Sequence, residues 1–308
     1  MTRWRWLVAL VAALCPVLAH AQKLETTPRT VVMTAFRPEW AALVQAVESP
    51  VEHTINGQVL MTGTIAGKPV VLMQSGVSMV NAAMNTQLVL DRFTVRRIVF
   101  SGIAGGVDPA LSIGDVVVPE DWGQYLEAAF ARKAGNGWQP PEAPLPGAPA
   151  NWNFIYPRGT TVANAASPPV RRFRIAMDPA LLALARKVAP QVVMERCLAP
   201  VTAGAQPQCL PRTPRVMVGG TGVSAGVFAD NAAFRRYLRK AWDARVLDME
   251  SAAVAQVAYA NMVPGIVFRS LSDLAGGDRD RNMETTFENL ASRNSARVVR
   301  AFLAALPD

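Results

Sequence analysis

The feature that most constrains this chain is a recurring unit: a short apolar run that ends in glycine or a carboxylate and is followed by a helical pattern. Thr30 to Ala35 is such a run, with a helical pattern from Trp40 to Val47 behind it. Leu60 to Ile65 and Pro69 to Met73 flank the Ala66-Gly67-Lys68 turn and read as a hairpin. Met79 to Phe93 carries apolar residues at helical spacing, and the strand Arg96 to Phe100 then runs into Ser101-Gly102-Ile103-Ala104-Gly105-Gly106. Asp115 to Val118 and Arg215 to Val218 read as further strands, the second ending in Gly219-Gly220-Thr221-Gly222. Asp230-Asn231 can cap a helix running through Ala241. Val246 to Glu250 leads into an apolar helix, Ser251 to Asn261, and Ile266 to Phe268 leads into Arg269-Ser270-Leu271-Ser272-Asp273. A last helix spans about Met283 to Leu306.

Strands alternating with helices in this way predict an α/β fold, with a mostly parallel or mixed central sheet flanked by helices. Such folds bind ligands beyond the carboxyl ends of their strands. Glu39, Gly76, Gly102 to Gly106, Gly219 to Gly222, Glu250 and Asp273 all fall near those ends. Their convergence is the main argument for a site.

Two segments stand outside the pattern. Residues 1–21 combine Arg3 and Arg5, an apolar stretch from Leu7 to Leu18 and the small-x-small Ala19-His20-Ala21, which predicts a cleaved secretory signal and a periplasmic or secreted protein. No later stretch reaches the roughly 18 uninterrupted apolar residues of a membrane helix, so no membrane partner is expected. Residues 22–308 then form a single α/β domain, with an insertion at about 122–215. Prolines punctuate that insertion, and only Asp178 to Val188 reads as helical within it. Cys197 and Cys209 lie near its end, and in an oxidising compartment they are expected to pair.

Composition narrows the chemistry. Loss of Arg3 and Arg5 takes the formal net charge from +8 to +6, with no basic stripe of the kind nucleic-acid binders carry. His53 is the one histidine left after the leader, in a polar stretch that reads as a turn. A histidine triad, a metal cluster and a cofactor loop of Walker or GxGxxG type are therefore not expected. The work falls to carboxylates. Each has an ordinary alternative: Glu39 as a solvated first-turn glutamate, Asp273 as a helix cap, one of Asp248 and Glu250 as a dipole partner for the following helix. The Gly276-Gly277 pair weakens the cap reading of Asp273. Glu250 suits a carboxylate that accepts hydrogen bonds from sugar hydroxyls. The glycine stretches read either as tight turns or as backbone approached closely by a planar ligand.

Four stretches occur in a telling order: SGVSMVNAAMNTQLVLDRF (75–93), VFSGIAGGVDPALSIGDVVVPED (99–121), GGTGVSAGVFADN (219–231) and LDMESAAVAQVAYANMVPGIVFRSLSDLAGG (247–277). Together they resemble the nucleoside phosphorylase superfamily, and within it the methylthioadenosine/S-adenosylhomocysteine nucleosidases. The resemblance implies a nucleoside phosphorylase-like fold, a small-molecule purine nucleoside as partner, a homodimer, and hydrolysis of the N-glycosidic bond. It implies that Asp273 protonates the leaving purine and Glu39 activates water. It implies that Met249 and Glu250 contact the ribose, that Phe228 stacks on the base, and that Ile103, Ala104 and Gly105 line the sugar and base; Ser272 is a further candidate for substrate binding. Two alternatives accompany it: a phosphorylase using phosphate, and a nucleoside-binding or storage-type protein without catalysis. Phosphorylases of the superfamily place an arginine on phosphate where this chain has Phe100, although Arg37 lies in a loop that they also use.

Overall fold

One long strand organises the molecule, a computed structural model that describes residues 23–198 and 206–307. The expected signal segment, 1–21, lies outside the described residues. A twelve-stranded sheet contains β1 (Arg29–Thr34), β2 (Glu48–Ile55), β3 (Gln58–Ile65), β4 (Lys68–Gln74), β5 (Val95–Gly106) and β6 (Val116–Val118). It continues with β7 (Asp121–Gln124), β8 (Ile175–Ala176), β9 (Val216–Val218), β10 (Thr221–Ser224), β11 (Ala244–Asp248) and β12 (Gly265–Asp273). The main path runs β8-β7-β10-β11-β5-β1-β4-β3-β2, while β12 pairs with β5 and β6, and β9 with β6.

β5 is the junction. Its first half lies parallel to β1 on one side and to β12 on the other, with Phe100 opposite Met33 and Val267. Its far end meets β11 antiparallel through Gly105 and Gly106. The carboxyl ends of β1, β11 and β12 are thereby drawn to one place, beside the last residues of β5. The sheet is mixed rather than purely parallel, since β2, β3 and β4 form an antiparallel meander.

Among the described residues six α-helices flank the sheet: α1 (Arg37–Val44), α2 (Met79–Arg92), α3 (Pro179–Val188), α4 (Ala232–Trp242), α5 (Ser251–Ala260) and α6 (Glu284–Ala304). The strand segments Val31–Met33, Val70–Met73, Ile98–Phe100, Val116–Val118 and Ile266–Phe268 are shut off from solvent, which is why they read as continuous apolar runs without alternation. α6 seals β12 and β5, with Phe302 packed on Phe268 at 5.1 Å between ring centroids. Side chains of that size contribute about 2–3 kcal/mol each when fully buried. Caps fix the helix starts: Asp178 Oδ1 accepts from the N–H groups of Ala180 and Leu181, and Asn231 Oδ1 from that of Phe234, all at 2.9 Å.

Three expectations change. His53 lies in strand β2, which pairs with β3, and only Asn56-Gly57 at the end of its polar stretch forms a turn. The glycine run after Phe100 is a continuation of β5 rather than a strand-to-helix turn. The segment 122–215 contains much more regular structure than α3. It supplies β7 and β8 to the main sheet, with Trp122 completely buried, and three two-stranded ribbons. Asp-Trp-Gly-Gln is too short and too poor in strand-forming residues to announce itself; burial of Trp122 under β10 holds it in place.

Cys197 and Cys209 are joined by a disulfide. The two strand-like stretches around it exchange hydrogen bonds, Leu198 N–H to Gln208 O and Leu210 N–H to Arg196 O, both 2.8 Å. Leu210 packs with Phe287 and Leu290 of α6, so the staple fastens a loop to the body. Closing a loop spanning 12 residues is worth about 3 kcal/mol on the chain-entropy account. The double replacement of Cys197 and Cys209 by Ser is expected to lower unfolding stability by about 2–4 kcal/mol, read from urea denaturation; an unchanged midpoint would show that the loop holds itself.

Candidate functional site

The first element of the site is the start of α1. Phe36 stays extended and Pro38 sits in the first turn, which turns Glu39 inward. Glu39 is 2 % exposed, so it is not a solvated first-turn glutamate. Its Oε2 accepts from the Ala35 N–H at 2.5 Å, and its Oε1 from the Ile103 N–H of β5 at 2.8 Å. Burial raises the Glu39 carboxyl above its usual range, against the pull of Arg269 and of the backbone donors.

The second element is the turn from β11 into α5. Asp248 acts as the cap: its Oδ1 accepts from the N–H groups of Glu250 and Ser251 at 3.2 and 3.1 Å, and from Ser224 Oγ at 2.5 Å. That releases Glu250 from capping. Its Oε1 accepts from the Ser78 N–H at 2.7 Å instead. Burial first, then the Asp248 charge, pushes Glu250 up to about 7, against Arg269 and Ser78.

Arg269 of β12 ties these acids together, and nothing in the sequence reading assigned it a part. It is wholly buried and ion-paired to Asp248 through Nε at 2.7 Å, to Glu39 through Nη1 at 3.6 Å and to Glu250 through Nη2 at 3.7 Å. Ser251 Oγ accepts from Nε and Nη2 at 3.0 and 2.9 Å, and the guanidinium lies over the Phe100 ring, 4.1 Å from its centroid. Burial works against its charge, and the three carboxylates outweigh that cost. Nη1 donates no hydrogen bond among the described residues.

Room for Arg269 comes from Gly102. A Cβ there would lie 1.6 Å from Arg269 Nη1 and 2.6 Å from Glu39 Oε1. The close approach at this glycine is therefore made by the protein's own guanidinium rather than by a ligand. Gly105 is tight in turn against Asp273, whose Oδ1 would sit 3.1 Å from an added Cβ.

Asp273 ends β12 after a bulge between Leu271 and Asp273. Its Oδ1 accepts from the Ala275 N–H at 2.7 Å and its Oδ2 from Ser272 Oγ at 2.9 Å. It caps no helix. Burial, with Asp278 adding to it, raises its carboxyl despite the Ala275, Ser272 and Asn282 donors.

Nine residues singled out from the sequence line one cavity: Glu39, Ile103, Ala104, Gly105, Phe228, Met249, Glu250, Ser272 and Asp273; Gly76, Gly102, Gly106 and Gly219 to Gly222, expected near the same strand ends, do not. Phe228 stands at its rim and is 54 % exposed. The sequence reading missed Phe36, Val77 and Glu284 in the wall, and Arg269 behind it. The available signal for Arg269 was a lone basic residue in an apolar strand, which burial permits only with charge partners. No group of His, Cys, Asp and Glu able to hold a metal occurs among the described residues.

The charge balance can be tested directly. Arg269→Met should cost about 3–5 kcal/mol at neutral pH, because it leaves buried carboxylates uncompensated. Without the cation the folded-state pKa values of Glu39 and Glu250 rise further above the unfolded ones. The deficit must then grow as pH rises through those values and shrink below them, where protonated acids carry no charge. Urea denaturation at pH 5 and pH 8 checks this; a pH-independent loss would contradict it.

Comparison with known proteins follows the same outline. The family model for the Phosphorylase superfamily matches residues 29–304. A 5′-methylthioadenosine/S-adenosylhomocysteine nucleosidase of Staphylococcus aureus is 30 % identical over 249 residues, covering 80 % of this chain and 86 % of its own. One from Shewanella frigidimarina is 28 % identical over 277 residues, covering 89 % and 98 %. The crystal structure of the Neisseria meningitidis nucleosidase of the same name, in complex with methylthio-immucillin-A, superposes with a TM-score of 0.65 at 23 % identity, covering 91 % of this chain and all of that one. The chain belongs to the phosphorylase superfamily.

Proposed function

We infer that this protein hydrolyses the N-glycosidic bond of a purine nucleoside, giving free base and ribose or a 5′-substituted ribose. The observation that carries this is that three buried carboxyls, Asp273, Glu39 and Glu250, line one cavity, and that Glu39 lies beside the buried cation Arg269. Cleavage of an N-glycosidic bond develops positive charge on the sugar and negative charge on the base. Asp273, whose carboxyl burial raises, gives its proton to a ring nitrogen of the purine as the C1′–N bond breaks and its electron pair passes to the base. Glu39 takes a proton from water as the water oxygen bonds to C1′. Glu250 accepts from the ribose hydroxyls and its charge favours the cationic sugar. Met249, Ile103, Ala104 and Gly105 supply the apolar wall, and Phe228 closes on the base.

Water is the nucleophile rather than phosphate. A phosphate dianion needs cationic donors. Arg269 is already enclosed by three carboxylates, Phe100 is buried beneath it, and Arg37 is exposed and does not line the cavity. Arg269 Nη1, the one nitrogen of this guanidinium without a hydrogen-bonding partner among the described residues, lies 3.6 Å from Glu39 Oε1, so the base that takes water's proton sits beside a cation. The curated relatives are named for 5′-methylthioadenosine and S-adenosylhomocysteine, which makes these the first substrates to try.

Export to an oxidising compartment follows from residues 1–21 and suits the disulfide. Assembly as a homodimer suits α2, which leaves Val80 and Met84, one turn apart, 77 % and 57 % exposed, next to the cavity residue Val77. In the described residues no helix is long and apolar enough to cross a membrane.

The mature protein should release purine from adenosine, inosine or methylthioadenosine in phosphate-free buffer and yield a free sugar; ribose 1-phosphate formed only when phosphate is added would refute hydrolysis. Asp273→Asn should lower kcat by at least about 100-fold while nucleoside affinity stays within about tenfold. In the wild type the rate should fall as pH rises through the raised pKa of Asp273, because the acid form is the active one, and Asp273→Asn should lose that limb.

A further inference from the structure

Glu284, the first residue of α6, lines the same cavity as Glu39, Glu250 and Asp273, and the hydrolysis above gives it no step. It is half-buried. Its backbone N–H donates to Asn282 Oδ1 at 2.9 Å, while its carboxylate makes no hydrogen bond or ion pair among the described residues. An acid in a first helical turn has an ordinary explanation in the helix dipole. Glu288, one turn on, shows that α6 carries a second half-buried acid that stays outside the cavity, so the helix alone does not account for an acid facing inward.

The surroundings of Glu284 do not neutralise it. Arg269, enclosed by Glu39, Asp248 and Glu250, has no charge to spare. Arg235 donates to Gly106 O and does not line the cavity. Burial, then the nearby Asp273 and Glu288 carboxylates, raises the Glu284 carboxyl above its ordinary range, as expected of an acid in an already negative site. Asp273 and Glu250, each 5 % exposed, are more buried than Glu284 in the same cavity wall. With those two on base and ribose, the substituent on C5′ is the part of a nucleoside left for the less buried Glu284.

Resting on the nucleosidase reading, we propose that Glu284 is a specificity-determining residue: its unpaired carboxylate turns away nucleosides whose 5′ substituent is anionic, so that nucleosides enter and their 5′-phosphates do not. Two like charges some 6 Å apart at a protein surface repel enough to change affinity by about 100-fold, and half-exposure reduces this to about tenfold.

The test compares adenosine with adenosine 5′-monophosphate on wild type, Glu284→Gln, Glu284→Lys and Glu288→Gln. Both kcat/KM and the calorimetric Kd are measured for each pair. The preference for adenosine should fall by about tenfold in Glu284→Gln, by more in Glu284→Lys, and by less than about twofold in Glu288→Gln. An unchanged preference in both Glu284 variants overturns the proposal, as does an equal fall in Glu288→Gln, which would assign the effect to overall charge. If the wild type cleaves neither compound and does not cleave methylthioadenosine or S-adenosylhomocysteine either, the nucleosidase reading fails on its own, and the Kd ratios still decide the role of Glu284.

Discussion

A single buried cation holds this site together. Arg269 has no contact with solvent, yet it stays charged because Asp248, Glu39 and Glu250 surround it. Neither side of that arrangement is stable alone. The guanidinium without the acids would be an unpaired buried charge, and the acids without it would repel one another in a low-dielectric space. Each partner comes from a different strand end or helix start, so the ion-pair cluster also fixes how β5, β11, β12 and α1 meet.

The backbone is shaped to admit this cluster. β5 carries glycine at position 102, where any side chain would displace Arg269, and its last glycines let β11 and Asp273 come close. The bulge before Asp273 turns that side chain into the cavity instead of across the sheet. The five carboxyls that line the cavity then acquire different characters from their surroundings. Glu39 and Asp273 are raised mainly by burial, and Glu250 by burial together with the Asp248 charge. Only one of the group, Asp248, spends its oxygens on capping a helix.

Much of this was legible in the sequence, for physical reasons that can be named. Strands buried on both faces must be apolar throughout, so Val31–Met33, Ile98–Phe100 and Ile266–Phe268 stand out. An acid directly after such a strand is placed where ligands bind, which singled out Asp273 and Glu250. Arg269 was harder to read because a basic residue after an apolar run looks like the start of a loop; only the three-dimensional meeting of three acids explains it. Gly102 looked like a turn because a glycine's reason, here a neighbouring guanidinium, lies elsewhere in the chain. The strand at Trp122 was hidden because its stability comes from packing under β10 and Trp242 rather than from its own propensity. Glu284 was hidden because first-turn acids are common and nothing local distinguishes one that faces a cavity.

The same charge arrangement bears on the chemistry. An arginine neutralised on three sides is a poor receptor for phosphate, while a carboxylate beside it is well placed to take a proton from water. The central claim is thus that the oxygen delivered to the sugar is water's. Turnover of methylthioadenosine in H2(18)O with unlabelled phosphate present, followed by mass spectrometry of the sugar, tests it most directly. One heavy oxygen in the released sugar, bonded at C1′, is the predicted result. A sugar phosphate without label would contradict the account.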